Sequence, residues 1–308
     1  MIQMVSNLLK KLSALNPKGV LVGAGRIYHA IRTRTAPEYH NPTISELAEI
    51  ERRIQQSGIP CHDFVVDAQE FKDFLQAVNF PAAYHGGIRG GVYYEKLLEH
   101  FVAWKFLNLG DSFQTPYMDV AACSSPWAKI LHSKGIDAVA VDLSLHPKYS
   151  GLSYYRQEDA TRTSFQDNSI GGASLQCAYE LFWGCQDIDL LKEFSRILMP
   201  GGRAVISPLY MHTVPCFYQT PEYYGKPYGD PGSQGFLRKN CWGVPASRKY
   251  SPETLKTRVW DTAIAAGLLP ILYVLRNQKE IADGIYLHFI LVLDKPRGLR
   301  HQTGGNNI

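Results

Sequence analysis

The sequence contains no long apolar run and no cluster of basic residues. Residues 285–293, the longest strongly apolar segment near the carboxyl end, fall far short of the roughly 20 residues that span a bilayer. The formal net charge is only +4 over 308 residues, and phosphate binding requires clustered cations. Residues 1–16 lack the apolar core and small-residue cleavage site of a signal peptide. We therefore expect a cytoplasmic protein with no membrane and no nucleic-acid partner.

The cysteines form no Cys-x-x-Cys pair and have no regular spacing. This pattern argues against a disulfide framework or a zinc site and is typical of reduced thiols. No group of His, Asp or Glu has metal-ligand spacing either, so we predict no metal site. Residues 19–27 imitate a dinucleotide fingerprint, but the motif is incomplete and no acid-tipped strand follows it. A chance resemblance or a tight turn is the better explanation.

In the middle of the chain, apolar segments typical of strands are repeatedly followed by acidic residues. The first such segment contains Asp119 and the second ends at Asp142. Glu158-Asp159-Ala160 follows, then an apolar segment at residues 173–180 and a Pro200-Gly201-Gly202 turn before another strand. Strands alternating with helices and tipped with acids indicate a nucleotide-type cofactor across the carboxyl ends of a parallel sheet.

This ordered series resembles the class I S-adenosylmethionine-dependent methyltransferases over residues 84–294. In that family an acid ends the first strand, a second acid holds the ribose hydroxyls, and an Asp-Ala or similar pair lies beside the adenine. Asp119, Asp142 and Asp159 with Ala160 occupy those positions in order. The resemblance therefore implies S-adenosylmethionine as the cofactor.

The turn after the first strand departs from the family pattern because it contains no glycine. Glycine is usual there because the backbone must turn tightly and approach the ligand without a Cβ. Residues 121–126 instead read Ala-Ala-Cys-Ser-Ser-Pro, and Ser124 or Ser125 is expected to cap the next helix. A bacterial methyltransferase subgroup is similar in its Ser-Ser-Pro turn, a Glu-Lys-x-x-Glu-His segment and an acidic-aromatic pair, matched here at residues 95–100 and 180–182.

The resemblance implies cofactor-binding residues at the strand ends and on one helix. Lys96 is included because a cation there could reach the cofactor carboxylate, the alternative being a solvated helix face. Cys123 and Cys177 are included because each follows a strand, the alternative being a small buried residue. The full set is Asp119, Ala121, Cys123, Ser124, Asp142, Leu143, Asp159, Ala160, Cys177 and Lys96.

The alternation of strand and helix predicts an α/β fold, a Rossmann-like seven-stranded class I methyltransferase sheet with helices on both faces. The final strand pair is expected to be antiparallel. We expect a mostly helical extension over residues 1–80, a methyltransferase domain over 81–297 and a disordered tail over 298–308. Strands are predicted at residues 117–121, 138–142, 153–156, 171–177, 203–208, 271–276 and 285–293, and helices at 43–54, 67–75, 93–107, 126–134, 187–198 and 252–266.

Residues 212–250 follow the fifth strand and are rich in Pro, Gly, Tyr and Phe. They have too little periodicity for a helix or strand, and a loop of this length inside a compact domain is usually functional. We predict a cap over the cleft whose aromatic side chains suit a sugar ring or a planar metabolite. An oligomer contact, such as that of a homodimer, is the alternative. The glycine-rich segment 84–91 is likewise either a loop that closes over a ligand or an ordinary surface connection.

Methyl transfer to an alcohol is helped by a general base within hydrogen-bonding reach of the hydroxyl. His212 is the first choice because it follows the fifth strand, where the cleft opens, and its ordinary pKa suits the task. The alternative is a loop histidine with no chemical role. The weaker catalytic choices are Tyr210, Glu180, His85 and Tyr179.

These inferences together predict a methyltransferase that uses S-adenosylmethionine to methylate a hydroxyl of a small molecule or glycan. A second hypothesis is aminopropyl transfer, against which the absence of an acidic cluster for a polyamine counts. A third is a non-catalytic partner subunit. The glycine-free turn favours that third hypothesis, while the acids Asp119, Asp142 and Asp159 oppose it.

Overall fold

The structure of the protein is a computed structural model that describes residues 17–89, 92–110 and 113–297. The tail predicted over 298–308 and residues 1–16 lie outside the described residues. The strands are β1 (Cys61–Phe64), β2 (Tyr117–Val120), β3 (Ala138–Asp142), β4 (Tyr155–Gln157), β5 (Ile170–Gln176), β6 (Leu198–Ser207), β7 (Cys216–Gln219), β8 (Gln234–Leu237), β9 (Ser247–Lys249), β10 (Leu269–Leu275) and β11 (Phe289–Asp294).

The large sheet has the strand order β1-β10-β11-β6-β5-β2-β3-β4. Strands β4, β3, β2, β5 and β6 pair in parallel, whereas β11 pairs antiparallel with both β6 and β10. The predicted Rossmann-like sheet with an antiparallel final pair is therefore confirmed. An eighth strand, β1, extends the sheet beside β10 and was not predicted. Its Cys-His-Asp-Phe sequence has no run of apolar residues that would mark a strand.

Helices cover both faces of the large sheet. Alternate residues of β2 point to opposite faces, so Met118 and Val120 join one apolar layer and Tyr117 joins the other. The helices are α1 (Pro17–Arg32), α2 (Ile44–Gln56), α3 (Ala68–Val78), α4 (Tyr93–Leu107), α5 (Trp127–Ser133), α6 (Gln186–Ile197), α7 (Pro252–Thr254), α8 (Asp261–Ala265) and α9 (Gln278–Ile281), with a π-helical segment, Leu255–Trp260, between α7 and α8. No helix in the described ranges is long and apolar enough to cross a membrane.

Two of the predicted helix starts have side-chain caps. Thr43 and Glu46 make a capping box at α2, with the Thr43 amide donating to Glu46 at 2.7 Å. Ser251 accepts a hydrogen bond from the Thr254 amide at 3.3 Å. Residues 19–27 lie within α1, so the glycines there do not form the strand and turn of a dinucleotide site.

Residues 212–250 contain secondary structure that the sequence did not reveal. Strands β8, β7 and β9 form a separate three-stranded sheet in that order. The expectation of neither helix nor strand was therefore wrong. These strands are three or four residues long, too short for an alternating pattern to stand out.

A buried carboxylate ties the small sheet to helix α6. Asp187 is fully buried and pairs with Arg248 of β9 at 2.8 Å and with Arg258 at 2.7 Å. Its carboxylate also accepts a hydrogen bond from the Tyr250 hydroxyl at 2.8 Å. Arg248 in turn pairs with Asp230. Residues 212–250, here called the insertion, are thus anchored by ion pairs around a carboxylate that has no contact with solvent.

Replacing Asp187 by asparagine should destabilise the protein strongly. Asp187→Asn leaves Arg248 buried without its full countercharge, and breaking such a pair costs about 3–5 kcal/mol. Asp189→Asn, two residues along the same helix, removes only an exposed pair with Lys192 and should cost under about 1 kcal/mol. Urea unfolding of both variants measures the difference. Equal losses would contradict the anchoring role of Asp187.

Candidate functional site

The carboxyl ends of β2, β3 and β5 meet at one edge of the sheet because these strands are parallel neighbours. A cavity of about 520 Å³ opens at this edge, between the strand ends and helix α4. It is lined by every residue that the sequence predicted to bind a cofactor: Asp119, Ala121, Cys123, Ser124, Asp142, Leu143, Asp159, Ala160, Cys177 and Lys96. The structure therefore brings these residues together, while their role in binding stays a prediction.

The turn after β2 keeps a left-handed backbone although it contains no glycine. Ala121 has φ 56° and Cys123 has φ 42°. A side chain in this region costs roughly 1–2 kcal/mol because the Cβ crowds a carbonyl oxygen. Ser125 accepts a hydrogen bond from the Trp127 amide at 3.1 Å and so supports the start of α5. The turn thus has the conformation that glycine would adopt, at the cost of local strain.

Asp142 locks this turn to the end of β3. One carboxylate oxygen accepts a hydrogen bond from the Cys123 amide at 2.8 Å, and the other accepts one from the Ser144 amide at 2.8 Å. Both oxygens keep free lone pairs, since a carboxylate oxygen can accept more than one hydrogen bond. Asp142 therefore shapes the cavity wall and can still accept from a ligand hydroxyl.

Asp119 is a buried acid without a full set of partners. It is 1% exposed, and its Oδ2 has no hydrogen-bond partner among the described residues. Burial, with the charge of Asp142 nearby, raises the pKa of Asp119 to about 8. Buried polar groups normally make hydrogen bonds. The unpaired oxygen of Asp119 is therefore available for a hydrogen bond with a ligand.

Lys96 and Glu99 form a buried ion pair on α4. The Lys96 Nζ lies 2.7 Å from a Glu99 oxygen, and both side chains line the cavity. Burial is the largest single effect and lowers the pKa of Lys96, but the charges of Glu99, Cys177 and Tyr286 together outweigh it and raise the pKa overall. The second oxygen of Glu99, Oε2, is buried without a partner among the described residues. Lys96 therefore faces the cavity as a cation and does not lie on a solvated helix face.

Tyr84 and His85 form one wall of the cavity and belong to the tight turn Tyr84–Arg89. The Tyr84 hydroxyl lies 2.8 Å from Nε2 of His100. Gly87 has φ 68°, and a Cβ there would lie 2.4 Å from the Ala82 carbonyl oxygen. The turn therefore requires glycine at this position. The same turn places His85 at the cavity, where burial lowers the pKa of its imidazole.

Two of the remaining candidate side chains, Glu180 and Tyr210, cluster behind Cys177 together with Tyr286. The Cys177 thiol lies 3.1 Å from the Tyr210 hydroxyl and 4.0 Å from the Tyr286 hydroxyl, and it donates to Glu180 Oε1 across 3.6 Å. Glu180 is buried, and its Oε2 has no partner among the described residues. Glu180 and Tyr210 therefore reach the cavity only through Cys177.

His212, the first choice as general base, is not brought to this cavity. It is 6% exposed and packs near the rings of Tyr39 and His40, which precede α2, and of Phe236 in β8. Its Nδ1 accepts a hydrogen bond from the Val214 amide at 3.4 Å, and burial lowers its pKa. The position directly after β6 favoured this choice, but Met211 bridges to Tyr250 and the His212 amide donates to the Tyr250 carbonyl at 2.8 Å, which holds His212 beside β9 and outside the cavity. Tyr179 is also buried away from the cavity, against Tyr250.

Glu99, Tyr84 and His100 line the cavity but were not predicted as site residues. The signal was present on α4, where charged residues stand among apolar ones through the motif at residues 95–100. A helix that is buried on all sides can hold charges only if they are paired or face a polar cavity. That argument points to Glu99 as well as to Lys96.

Residues 118–206 match a family model described as a methyltransferase domain. These residues run from β2 into β6 and lie within the domain predicted over residues 81–297, whose bounds stay a prediction. We found no match among curated proteins.

Three solved structures are among those that match part of this chain. The 1,6-didemethyltoxoflavin-N1-methyltransferase of Burkholderia thailandensis, solved with 1,6-didemethyltoxoflavin and S-adenosylhomocysteine, is 14% identical with a TM-score of 0.45, covering 77% of this chain and 94% of its own. A protein from Pyrococcus horikoshii is 15% identical with a TM-score of 0.44, covering 65% and 90%. A putative S-adenosylmethionine-dependent methyltransferase from Listeria monocytogenes is 13% identical with a TM-score of 0.41, covering 64% and 99%. The fold assignment itself rests on the strand order.

Ala121→Gly should stabilise the protein slightly. The substitution removes the left-handed strain of a side chain at this position, which is worth roughly 1–2 kcal/mol. Glycine also increases the conformational entropy of the unfolded chain, which offsets part of this gain. We therefore expect the free energy of unfolding to rise by up to about 1 kcal/mol. Ala265→Gly, in the exposed helix α8, should instead cost about 0.5–1 kcal/mol. Urea unfolding distinguishes the two, and a loss of stability in both variants would contradict the strain at Ala121.

Asp119→Asn should change how stability depends on pH. The folded protein binds the Asp119 proton more tightly than the unfolded chain does, so this group makes the free energy of unfolding fall as pH rises from about 4 to 8. Asp119→Asn should remove that fall, with a difference from wild type of up to about 1.4 kcal/mol per pH unit. Asp137→Asn, at the exposed amino end of β3, should keep the wild-type profile. Identical profiles for Asp119→Asn and wild type would disprove the raised pKa.

Proposed function

We propose that this protein is an S-adenosylmethionine-dependent methyltransferase that methylates a hydroxyl of a small molecule. The observation that carries the proposal is the single cavity at the carboxyl ends of β2, β3 and β5, which gathers the whole set of predicted cofactor residues. The methyltransferase-domain match over residues 118–206 supports it. Membership of the subgroup with the Ser-Ser-Pro turn is part of the proposal, supported by the place of Ser124 and Ser125 in the cavity wall.

The polar groups of the cavity fit the parts of this cofactor. Asp119 and Glu99 each have a buried oxygen without a partner among the described residues, and these oxygens suit an ammonium group. Lys96 supplies the cation that suits a carboxylate. Asp142 would hold the ribose hydroxyls, and Asp159 with Ala160 would lie beside the adenine. The cavity thus offers a partner for the ammonium group, the carboxylate, the ribose and the adenine of this cofactor.

The cofactor, when bound, supplies a methyl group already activated on a sulfonium sulfur. The protein must hold the acceptor in line with that methyl group and keep water out. Transfer to an oxygen would also require a residue beside the acceptor to take up the hydroxyl proton. Glu180 is our choice to take up this proton by way of the Cys177 thiol, which lines the cavity and donates to the Glu180 carboxylate, whose other oxygen has no partner among the described residues. His85, which lines the cavity, is the second choice.

Asp142→Ala should lose most of the affinity for the cofactor. Removing the carboxylate deletes a charge-assisted hydrogen bond, worth about 1.5–3 kcal/mol, and so weakens binding roughly 10- to 100-fold. Calorimetric titration with S-adenosylmethionine and S-adenosylhomocysteine measures the change. Asp137→Ala is the matched control, because Asp137 lies at the opposite end of the same strand and outside the cavity.

Two results would count against the proposal. Unchanged affinity in Asp142→Ala would overturn the position assigned to the ribose. A folded wild-type protein that binds neither compound would favour the non-catalytic partner subunit instead.

A further inference from the structure

The first cavity extends past the residues assigned to the cofactor. It is also lined by residues 181–183, which follow β5, and by Gln186 at the start of α6. Strand β5 lies beside β2 on the side away from β3 and β4. The proposed partners of the ribose and the adenine, Asp142 and Asp159, stand at the end of β3 and after β4. Residues 181–183 therefore reach the cavity from the side opposite to the one assigned to the nucleoside.

Two large apolar side chains of this segment are exposed at the cavity. Leu181 is 43% exposed and Trp183 is 37% exposed, and both line the cavity. A single exposed apolar residue is ordinary, but exposed apolar side chains grouped at a cavity are typical of a ligand-binding surface. A ligand that covers them removes apolar surface from water, which is favourable. This side of the cavity therefore suits an apolar ligand.

The backbone on both sides of Trp183 is held by buried charges. Arg248 donates hydrogen bonds to the Phe182 carbonyl and, at 3.0 Å, to the Gly184 carbonyl. Arg258 also donates to the Gly184 carbonyl. Both arginines belong to the buried ion-pair network that anchors the insertion. The backbone of Trp183 is therefore fixed before a ligand binds, so that binding costs less conformational entropy.

The insertion supports the Trp183 ring and leaves part of it uncovered. The Tyr228 ring packs against Trp183 at an angle of 51° with the ring centres 4.6 Å apart. Tyr223 in turn contacts Tyr228, with the ring centres 5.7 Å apart. A further aromatic ring can join this group, because offset-stacked and edge-to-face pairs are favourable at separations of about 4.5–7 Å. The uncovered part of Trp183 thus suits an aromatic ligand.

The polar groups on this side of the cavity are few and uncharged. The Gln186 side chain and the indole Nε1 of Trp183 make no hydrogen bond within the described ranges. The amide can both donate and accept, whereas the indole N–H can only donate. Together these groups suit a single hydroxyl. A sugar has several hydroxyls, each of which requires a partner when it is buried, so a glycan is disfavoured.

A second cavity, of about 770 Å³, lies beyond Cys177, and its walls include Tyr39, Tyr210 and Tyr286. The Cys177 thiol, which lines the first cavity, lies 3.1 Å from the Tyr210 hydroxyl and 4.0 Å from the Tyr286 hydroxyl. The Lys249 Nζ covers the Tyr210 ring at 3.8 Å from its centre. These side chains form a partition, so a molecule in the second cavity is out of reach of a methyl group in the first. An acceptor must therefore enter the first cavity.

We propose that Leu181, Trp183 and Gln186 form the acceptor site within the first cavity and that the acceptor is an uncharged aromatic alcohol whose ring packs on Trp183. The assignment rests on the proposed methyltransferase function and names the substrate class of that same site. An acceptor held here shares the cavity with Cys177, the proposed route of the hydroxyl proton, and with His85.

The test uses 2-naphthol, an uncharged aromatic alcohol, as the probe in calorimetric titrations. Trp183→Ala should weaken naphthol binding about tenfold or more, because a central aromatic contact is lost. Trp183→Phe keeps an aromatic ring and should stay within about threefold of wild type. Trp242→Ala is the matched control, since Trp242 is a partly exposed tryptophan of the insertion that lies outside the first cavity. It should bind naphthol as wild type does.

Titrations with S-adenosylhomocysteine separate the acceptor site from the cofactor site. All three variants should bind S-adenosylhomocysteine as wild type does, which also reports a folded protein, and naphthol should still bind when this compound is saturating. Competition between the two compounds, or weaker S-adenosylhomocysteine binding in Trp183→Ala, would assign Trp183 to the cofactor and overturn the acceptor site alone.

The remaining outcomes separate the acceptor class from the proposed function. Absence of naphthol binding to wild type, or equal naphthol affinity in wild type and Trp183→Ala, would overturn the acceptor site. Binding of methyl glucoside that depends on Trp183 would overturn the aromatic class. Naphthol binding with the expected pattern, in a protein that does not bind S-adenosylhomocysteine, would overturn the methyltransferase function and the acceptor role together.

Discussion

The ion pair between Asp187 and Arg248 is the interaction on which the region around both cavities depends. Arg248 is the middle residue of β9, which ends at Lys249 directly before Tyr250, so fixing the Arg248 side chain fixes that strand. The Tyr250 backbone then pairs with Tyr210, whose ring separates the cavities. A carboxylate with no solvent contact thereby sets the position of an insertion that has only short strands of its own.

The sheet and the first cavity could be predicted because their signals are local. Apolar runs ending at Asp119 and Asp142 mark strands, and parallel strands necessarily bring their carboxyl ends to one edge. The register pairs Asp119 with Ala140 and so places the two acids near each other without any knowledge of side-chain packing. Spacing along the chain therefore brings the two acids to one edge of the sheet, while the rest of the predicted cofactor set came from the family resemblance.

The remaining features depend on contacts between distant segments, which spacing does not reveal. Strand β1 contains His62 and Asp63 and becomes a strand only because β10 offers it a free edge. His212 follows β6 in sequence, but the backbone between them turns toward the insertion. The second cavity combines Tyr39 with Tyr286, nearly the full length of the chain apart. Contacts between such distant segments are set by tertiary structure and produce no periodic pattern in the sequence.

The glycine-free turn at Ala121 and Cys123 has a consequence for how ligands are received. A glycine turn explores many backbone conformations, and a ligand must restrict them when it binds. Side chains at these positions narrow that range beforehand, so the restriction occurs during folding. The strained turn makes the empty protein somewhat less stable and leaves its rim preorganised, so that less conformational entropy is lost when the cavity fills.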